Sequence, residues 1–122
     1  MSYLFYKILH VTAALTVFGM LGGVCLHVMN GGTREQGAGR ALVMTVHGLG
    51  LLLVLVGGFG LLARLNIITD WPGWVWGKLV IWLLAGAWVA LVYRRPTLAR
   101  PMLILLPFLG LAVSWLAIAK PF

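Results

Sequence analysis

Apolar residues fill four long stretches of the chain, and short segments rich in glycine, proline or charge separate them. These stretches predict helices over residues 3–28, 41–63, 74–93 and 102–119. Each stretch is about 20 residues long, the length that crosses the hydrocarbon core of a bilayer. The pattern therefore predicts an all-α protein: an integral membrane four-helix bundle of up-and-down antiparallel topology, forming a single transmembrane domain over residues 1–122.

The composition agrees with a membrane environment. Hydrophobic residues make up 62% of the chain and charged residues only 9%, whereas soluble domains carry roughly 25% charged residues. The net charge of +7 does not indicate nucleic-acid binding, because the nine Lys and Arg residues are scattered and form no basic stripe. The single cysteine, Cys25, excludes an internal disulfide and a CxxC motif, and its apolar surroundings favour an inert core residue.

Basic residues in the loops predict the orientation of the bundle. With four helices, the first helix begins and the last helix ends at the same membrane face, which we call the terminal face. The opposite face carries five loop arginines, namely Arg34, Arg40, Arg94, Arg95 and Arg100. Because cytoplasmic loops are enriched in basic residues, we expect the terminal face to be external, with both termini outside the cell.

Two further patterns concern packing at the membrane. The cluster WPGWVW at residues 71–76 fits an aromatic belt at the terminal face, with ligand stacking by these tryptophans as the alternative. Glycines in the first two helices predict close approach of the backbones in a tight bundle. They are Gly19, Gly22 and Gly23 in the first helix, and Gly50, Gly57 and Gly58 in the second.

Few ionisable residues lie within the predicted helices, and ionisable groups in a membrane generally mark function. They are Lys7, His10, His27, His47 and Lys78. Both acidic residues, Glu35 and Asp70, lie in loops. The absence of a helix carboxylate disfavours proton-coupled exporters that depend on a glutamate within the membrane.

Depth divides these residues into two groups. From the rise per residue, His10 lies roughly 10 Å and Lys78 roughly 9 Å from their helix centres toward the terminal face. His27 and His47 lie toward the opposite face, so they form a second candidate pair. Lys7 is close enough to the terminal face to extend its ammonium group to the surface.

The donor set favours haem over other metal groups. Hard cations prefer oxygen ligands, and a closed zinc site needs four donors. Haem needs one or two axial donors in an apolar pocket, and cations near its propionates are favourable. We therefore expect a haem or another porphyrin, with His10 as an axial iron ligand. Lys78 would supply the second ligand, if its amine is neutral, or a cation for a propionate.

Other roles for these side chains stay open. The pair of His27 and His47 is a competing ligand set, with His47 as the alternative metal ligand. Each histidine is also interpretable as a group that only forms a hydrogen bond across a helix interface, and Lys78 as a lysine that extends to the surface.

Three segments carry a family resemblance: KILHV in the first helix, MTVHGLGLLLVLVGGFGLL in the second and WGKLVIWLLAG in the third. They resemble the small four-helix membrane superfamily that includes SirB-like proteins, the CopD copper-resistance domain and the HemJ-type protoporphyrinogen oxidases. The resemblance implies a bacterial inner-membrane protein with functional roles for His10 and Lys78, catalytic ones if it is an enzyme. His47 resembles the helix-two histidine of SirB-like members. HemJ-type members are associated with b-type haem and porphyrin oxidation.

The function expected first is thus haem b or porphyrin binding, in electron transfer or in porphyrin oxidation by an oxidoreductase of the HemJ-like kind. The sequence leaves open whether the chain is an enzyme. One alternative is a non-catalytic accessory subunit of a larger membrane complex, and another is a small copper-uptake or transport module, which the scarcity of exposed Met and His disfavours. Partners other than lipid would be a second copy of the chain or that larger complex.

Overall fold

The computed structural model describes residues 2–33 and 39–120, and their regular structure is almost entirely α-helical. The helices are α1 (Tyr3–Met29), α2 (Arg40–Arg64), α3 (Gly73–Arg94) and α4 (Ala99–Ala119). All four are long and apolar enough to cross a membrane. The predicted all-α membrane bundle is confirmed, and the ends of the first three helices fall within one residue of the prediction.

The start of the fourth helix was predicted too late. A short 3₁₀ turn, Pro96–Leu98, leads directly into α4, which begins at Ala99 rather than at residue 102. Pro101 is the third residue of α4. The N–H groups of a first helical turn have no intrahelical acceptor, so a proline there costs no hydrogen bond and does not delay the helix.

Helix α1 is the centre of the arrangement, because it packs against each of the other three helices. Its most extensive interface is with α2, and α3 and α4 also contact each other. A buried core joins α1, α3 and α4 in the half of the bundle away from the terminal face. Its most completely buried side chains are Leu21, Cys25 and Val92.

Glycines of α2 form the interface with α1. A methyl group at Gly50 would lie 2.9 Å from Cγ2 of Val17, and one at Gly57 would lie 3.0–3.1 Å from N, Cα and Cβ of His10. These distances are shorter than ordinary carbon contacts of about 3.5–4.0 Å. Gly60 lies against the ring of Tyr6 in the same way. Because the partner numbers on α1 fall as those on α2 rise, the two helices run antiparallel.

The glycines of α1 behave differently from those of α2. Gly19 and Gly23 have no neighbouring heavy atom within 4 Å of an added methyl group, and Gly22 makes only ordinary contacts at 3.9 Å with Leu103 and Leu106. The prediction of close backbone approach is therefore confirmed for Gly50 and Gly57 of α2 and wrong for Gly19 and Gly23, which face outward; Gly58 meets only the ring of His10, at 3.4 Å. Nothing in the sequence marks which side of these uniformly apolar helices faces inward.

Candidate functional site

A cavity of about 240 Å³ lies in the half of the bundle near the terminal face, and all four helices contribute to its lining. Most of its wall is aliphatic or aromatic. Among the described residues that line it there is no carboxylate, and four carry basic side chains: Lys7, His10, Lys78 and Lys120. An apolar wall with a few convergent polar groups is the usual character of a small-molecule site.

His10 has a defined tautomer at this cavity. Its Nδ1 lies 2.8 Å from the carbonyl oxygen of Val54 in α2. A carbonyl can only accept, so Nδ1 carries the hydrogen and donates it. In the neutral ring, Nε2 then holds the free lone pair. A hydrogen bond from one ring nitrogen to a backbone carbonyl is the common way of orienting a histidine that binds a metal through the other nitrogen.

Two adjacent glycines make room for this histidine. The backbone of α1 at His10 lies directly against Gly57, and an added methyl group at Gly58 would lie 3.4 Å from Cε1 of the His10 ring. Larger residues at either position would push the imidazole away from α2. The Gly57–Gly58 pair therefore sets the distance over which His10 reaches the Val54 carbonyl.

Two lysines meet on one aromatic ring at the mouth of the cavity. Nζ of Lys78 lies 5.7 Å and Nζ of Lys120 lies 5.1 Å from the ring centroid of Trp74. These are cation–π distances, so the same indole is shared by two side chains of equal charge. On the α1 side of the mouth, Nζ of Lys7 lies 5.6 Å from the ring centroid of Tyr3.

The tryptophans of the predicted aromatic belt have divided roles. Trp71 and Trp74 line the cavity, whereas Trp76 is exposed and contacts Trp71 at a tilted angle, with ring centroids 4.9 Å apart. The indole N–H of Trp71 donates a hydrogen bond to the carbonyl of Ile68 at 2.7 Å. The cluster thus combines a surface position, as a membrane belt requires, with two rings that face the cavity.

A hydrogen bond links α2 to α3 across the cavity. Nε1 of Trp82 donates to the carbonyl of Leu51 at 2.9 Å, and both residues line the cavity wall. The two helices have little other contact, because each packs mainly on α1 or, for α3, also on α4. The separation of α2 and α3 is what creates the cavity.

The other two histidines do not line this cavity. Nε2 of His27 lies 3.0 Å from the carbonyl of Thr33, so its ring is held at the end of α1 by the following loop. His47 is only 3% exposed, and neither of its ring nitrogens has a hydrogen-bond partner among the described residues. The carbonyl of Ala85 lies near its ring but outside hydrogen-bonding geometry. The two side chains therefore lie in different surroundings.

Cys25 is a buried free thiol, as predicted. It has no solvent exposure, and Nε1 of Trp88 donates to its sulfur at 3.4 Å. Within residues 2–33 and 39–120, no group of three or more His, Cys, Asp or Glu side chains could hold a metal ion by itself. Haem differs from such ions because the porphyrin supplies four of the iron ligands and the protein only the axial ones.

His10 and Lys78 were predicted to lie at the same depth in the membrane, and both line the same cavity. Lys120 was missed as part of the site, because it has the sequence context of an ordinary residue at a membrane surface. Trp74 belongs to the cluster for which ligand stacking was only the alternative interpretation. The signal that could have found both is depth: Lys120 directly follows α4, and Trp74 is the second residue of α3, at the same membrane face as Lys78. Arg34 and Glu35 lie outside the described residues.

Comparisons with models of protein families, with curated proteins and with solved structures found no match for this chain.

Proposed function

We propose that the chain binds a b-type haem or a related porphyrin in the cavity near the terminal face, with Nε2 of His10 as an axial ligand. The observation that carries the proposal is the hydrogen bond from Nδ1 of His10 to the Val54 carbonyl at 2.8 Å. It fixes the ring and leaves Nε2 with its lone pair available, as an axial histidine requires.

The chemistry of the cavity wall suits a porphyrin. Its aliphatic and aromatic side chains match the ring faces, and its cations lie at the mouth, where propionates would reach water. The volume of about 240 Å³ falls just below the ~300–1,000 Å³ typical of ligand pockets. A porphyrin would be held by this wall and would need further room, for which the space between α2 and α3 is available because these helices have little contact with each other.

Lys78 and His47 are the other residues for which the proposal has a role. Lys78 lines the cavity and supplies either a neutral amine as second ligand or a cation. The alternative ligand is His47 in α2. It is buried without a hydrogen-bond partner among the described residues, and it lies near Ala85, which lines the cavity. His27 is the weaker alternative, because its Nε2 already forms a hydrogen bond with the Thr33 carbonyl.

The activity that such a site serves is electron transfer or porphyrin oxidation. Bound haem would supply reversible one-electron chemistry, and this chain's own residues would bind the group, orient it through Val54 and exclude water with the apolar wall. The resemblance to SirB-like and HemJ-type proteins supports this proposal and a bacterial inner-membrane location. The loop arginines support an external terminal face.

The absorption spectrum of the protein tests the proposal. The wild-type protein is purified from haem-replete cells alongside His10→Ala, His47→Ala and His27→Ala. We expect a Soret band in the wild type that is lost in His10→Ala and retained in His27→Ala.

A wild-type protein without a Soret band would contradict haem binding, and stable co-purification with other membrane proteins would then favour the accessory-subunit alternative. Loss of the band only in His47→Ala would move the axial ligand from α1 to α2.

A further inference from the structure

The mouth of the cavity holds an excess of positive charge. Lys78 and Lys120 meet at the Trp74 ring, and Lys7 lies across the opening. No salt bridge to any of the three forms within residues 2–33 and 39–120. The acid of the α2–α3 loop, Asp70, does not line the cavity. Positive charges near a low-dielectric wall repel each other, and an anion bound between them relieves this repulsion.

The backbone of Lys120 brings its side chain to this cluster. The residue ends α4 in the left-handed conformation, with φ of 49° and ψ of 60°. This conformation is sterically unfavourable for residues other than glycine. A lysine at a helix end near the membrane surface can extend its ammonium group into water. Here the ammonium group lies over Trp74 and beside a second lysine.

We propose that Lys78, Lys120 and Trp74 form a carboxylate subsite, so that the natural ligand of the cavity is an amphipathic carboxylic acid whose apolar body lies deeper in the bundle. The inference rests on the proposed function in that it concerns the ligand of the same cavity, but it requires neither iron nor His10. It goes further by assigning a carboxylate-binding role to Lys120 and by giving Lys78 the role of a cation.

A carboxylate is the anion that this geometry fits. Two ammonium groups on one ring can each donate a charge-assisted hydrogen bond to one oxygen of the same carboxylate. The indole between them offers a flat apolar surface to the atoms next to that carboxylate. The deeper wall, which carries Val17 and Phe18 of α1 and Trp82 of α3, suits a hydrocarbon or a flat ring system. Porphyrin propionates and long-chain fatty acids share this chemistry.

The test compares an acid with its ester. Metal-free mesoporphyrin IX and its dimethyl ester are titrated into the full chain in nanodiscs of zwitterionic lipid, and binding is followed by porphyrin fluorescence. We expect the wild type to bind the diacid about 10- to 100-fold more tightly than the diester, because esterification removes charge-assisted hydrogen bonds. Lys78→Gln and Lys120→Gln should each remove most of this preference, and Lys120→Arg should keep it.

Arg64→Gln is the matched control. Arg64 is an exposed basic residue at the same membrane face that does not line the cavity, so its loss changes the net charge equally. We expect Arg64→Gln to keep the acid preference of the wild type. Retained protection of the buried Cys25 thiol from maleimide shows that each variant is folded.

The result that overturns the inference is equal binding of diacid and diester by the wild type, an absence of binding by any acid, or an equal effect of Arg64→Gln and Lys120→Gln. Oleate competition identifies the source of the carboxylate: displacement of the diacid, or lysine-dependent oleate binding without porphyrin binding, indicates a lipid acid. Lysine-dependent acid preference in a protein without a Soret band would leave the subsite standing and refute the haem proposal. The opposite combination would refute only the subsite.

Discussion

Replacing Gly57 by alanine places a methyl group against the backbone of α1 where it carries His10. The added carbon would lie 3.0–3.1 Å from N, Cα and Cβ of His10, compared with about 3.5–4.0 Å for ordinary carbon contacts. These neighbours are backbone atoms and Cβ, so they cannot rotate away as the end of a side chain could. The helices must separate locally by about 0.5 Å to accept the methyl group.

The size of the effect follows from two opposing terms. Overpacking of an interface costs about 1–3 kcal/mol, whereas alanine is favoured over glycine in a helix by about 1 kcal/mol. If this movement lengthens the hydrogen bond from Nδ1 of His10 to the Val54 carbonyl, the N···O distance rises from 2.8 Å to about 3.3 Å, which is at the limit of N–H···O bonding. We therefore expect a net loss of about 0–2 kcal/mol in the free energy of unfolding.

Gly48→Ala is the matched control on the same helix. Gly48 is exposed, and no heavy atom lies within 4 Å of an added methyl group, so this variant gains only the helix preference. The free energy of unfolding should thus be about 1–3 kcal/mol lower for Gly57→Ala than for Gly48→Ala. Cys25 supplies the assay, because it is the only cysteine and has no exposure in the folded protein. Its alkylation rate in increasing SDS reports the opening of the core.

Equal stability of the Gly57→Ala and Gly48→Ala variants would refute the close packing of α1 on α2 at His10. A second readout concerns the ligand. Changes to a residue that orients a metal-binding histidine typically cost about 10- to 100-fold in affinity. Gly57→Ala should therefore weaken haem binding by about that factor, and Gly48→Ala should leave it unchanged.

Three further variants use the same alkylation assay. Trp82→Phe removes the hydrogen bond to the Leu51 carbonyl and should lower the free energy of unfolding by about 0.5–1.5 kcal/mol; an unchanged value would show that this bond does not hold α2 to α3. His47→Leu removes two buried ring nitrogens without partners and should leave stability equal or raise it by up to about 3 kcal/mol, while a loss would contradict the observed lack of partners. Gly60→Ala displaces the Tyr6 ring and should cost about 1–3 kcal/mol, whereas stability equal to that of the Gly48→Ala control would contradict the contact.

Helix positions were predictable because polar and glycine-rich segments clearly interrupt the apolar stretches. The one substantial error concerns the start of α4, which was placed at residue 102, three residues after Ala99, where the helix begins. Two prolines, Pro96 and Pro101, fit within a 3₁₀ turn and a first helical turn, where no backbone hydrogen bond is lost. Sequence alone marks the region of a break more accurately than the residue at which the helix resumes.

The arrangement of the helices was not predictable by the same reasoning. A helix that is apolar on all sides gives no periodic signal for the side that faces inward. Gly19 in α1 and Gly57 in α2 have similar apolar neighbours in the sequence, but only Gly57 meets another backbone. The central position of α1 follows from such contacts.

The site was predictable in part. Depth along the helices correctly grouped His10 with Lys78, because the rise per residue is fixed once the helix ends are known. Depth could not reveal that the Val54 carbonyl accepts a hydrogen bond from His10, or that the Thr33 carbonyl forms one with His27. Both hydrogen bonds depend on the rotation of the helix about its axis. Lys120 was not a candidate in the sequence analysis; it has a left-handed backbone conformation at the end of α4, and its ammonium group lies over Trp74.

The most direct test of the central claim is rescue of the axial ligand. His10→Gly is purified from haem-replete cells with and without imidazole, and the Soret absorbance per chain is compared with that of the wild type. A free imidazole can replace the missing ring in the cavity, so the account predicts a Soret band in the wild type, its loss in His10→Gly and its return with imidazole. A wild-type protein without the band, or a His10→Gly spectrum identical to that of the wild type without imidazole, would contradict the account.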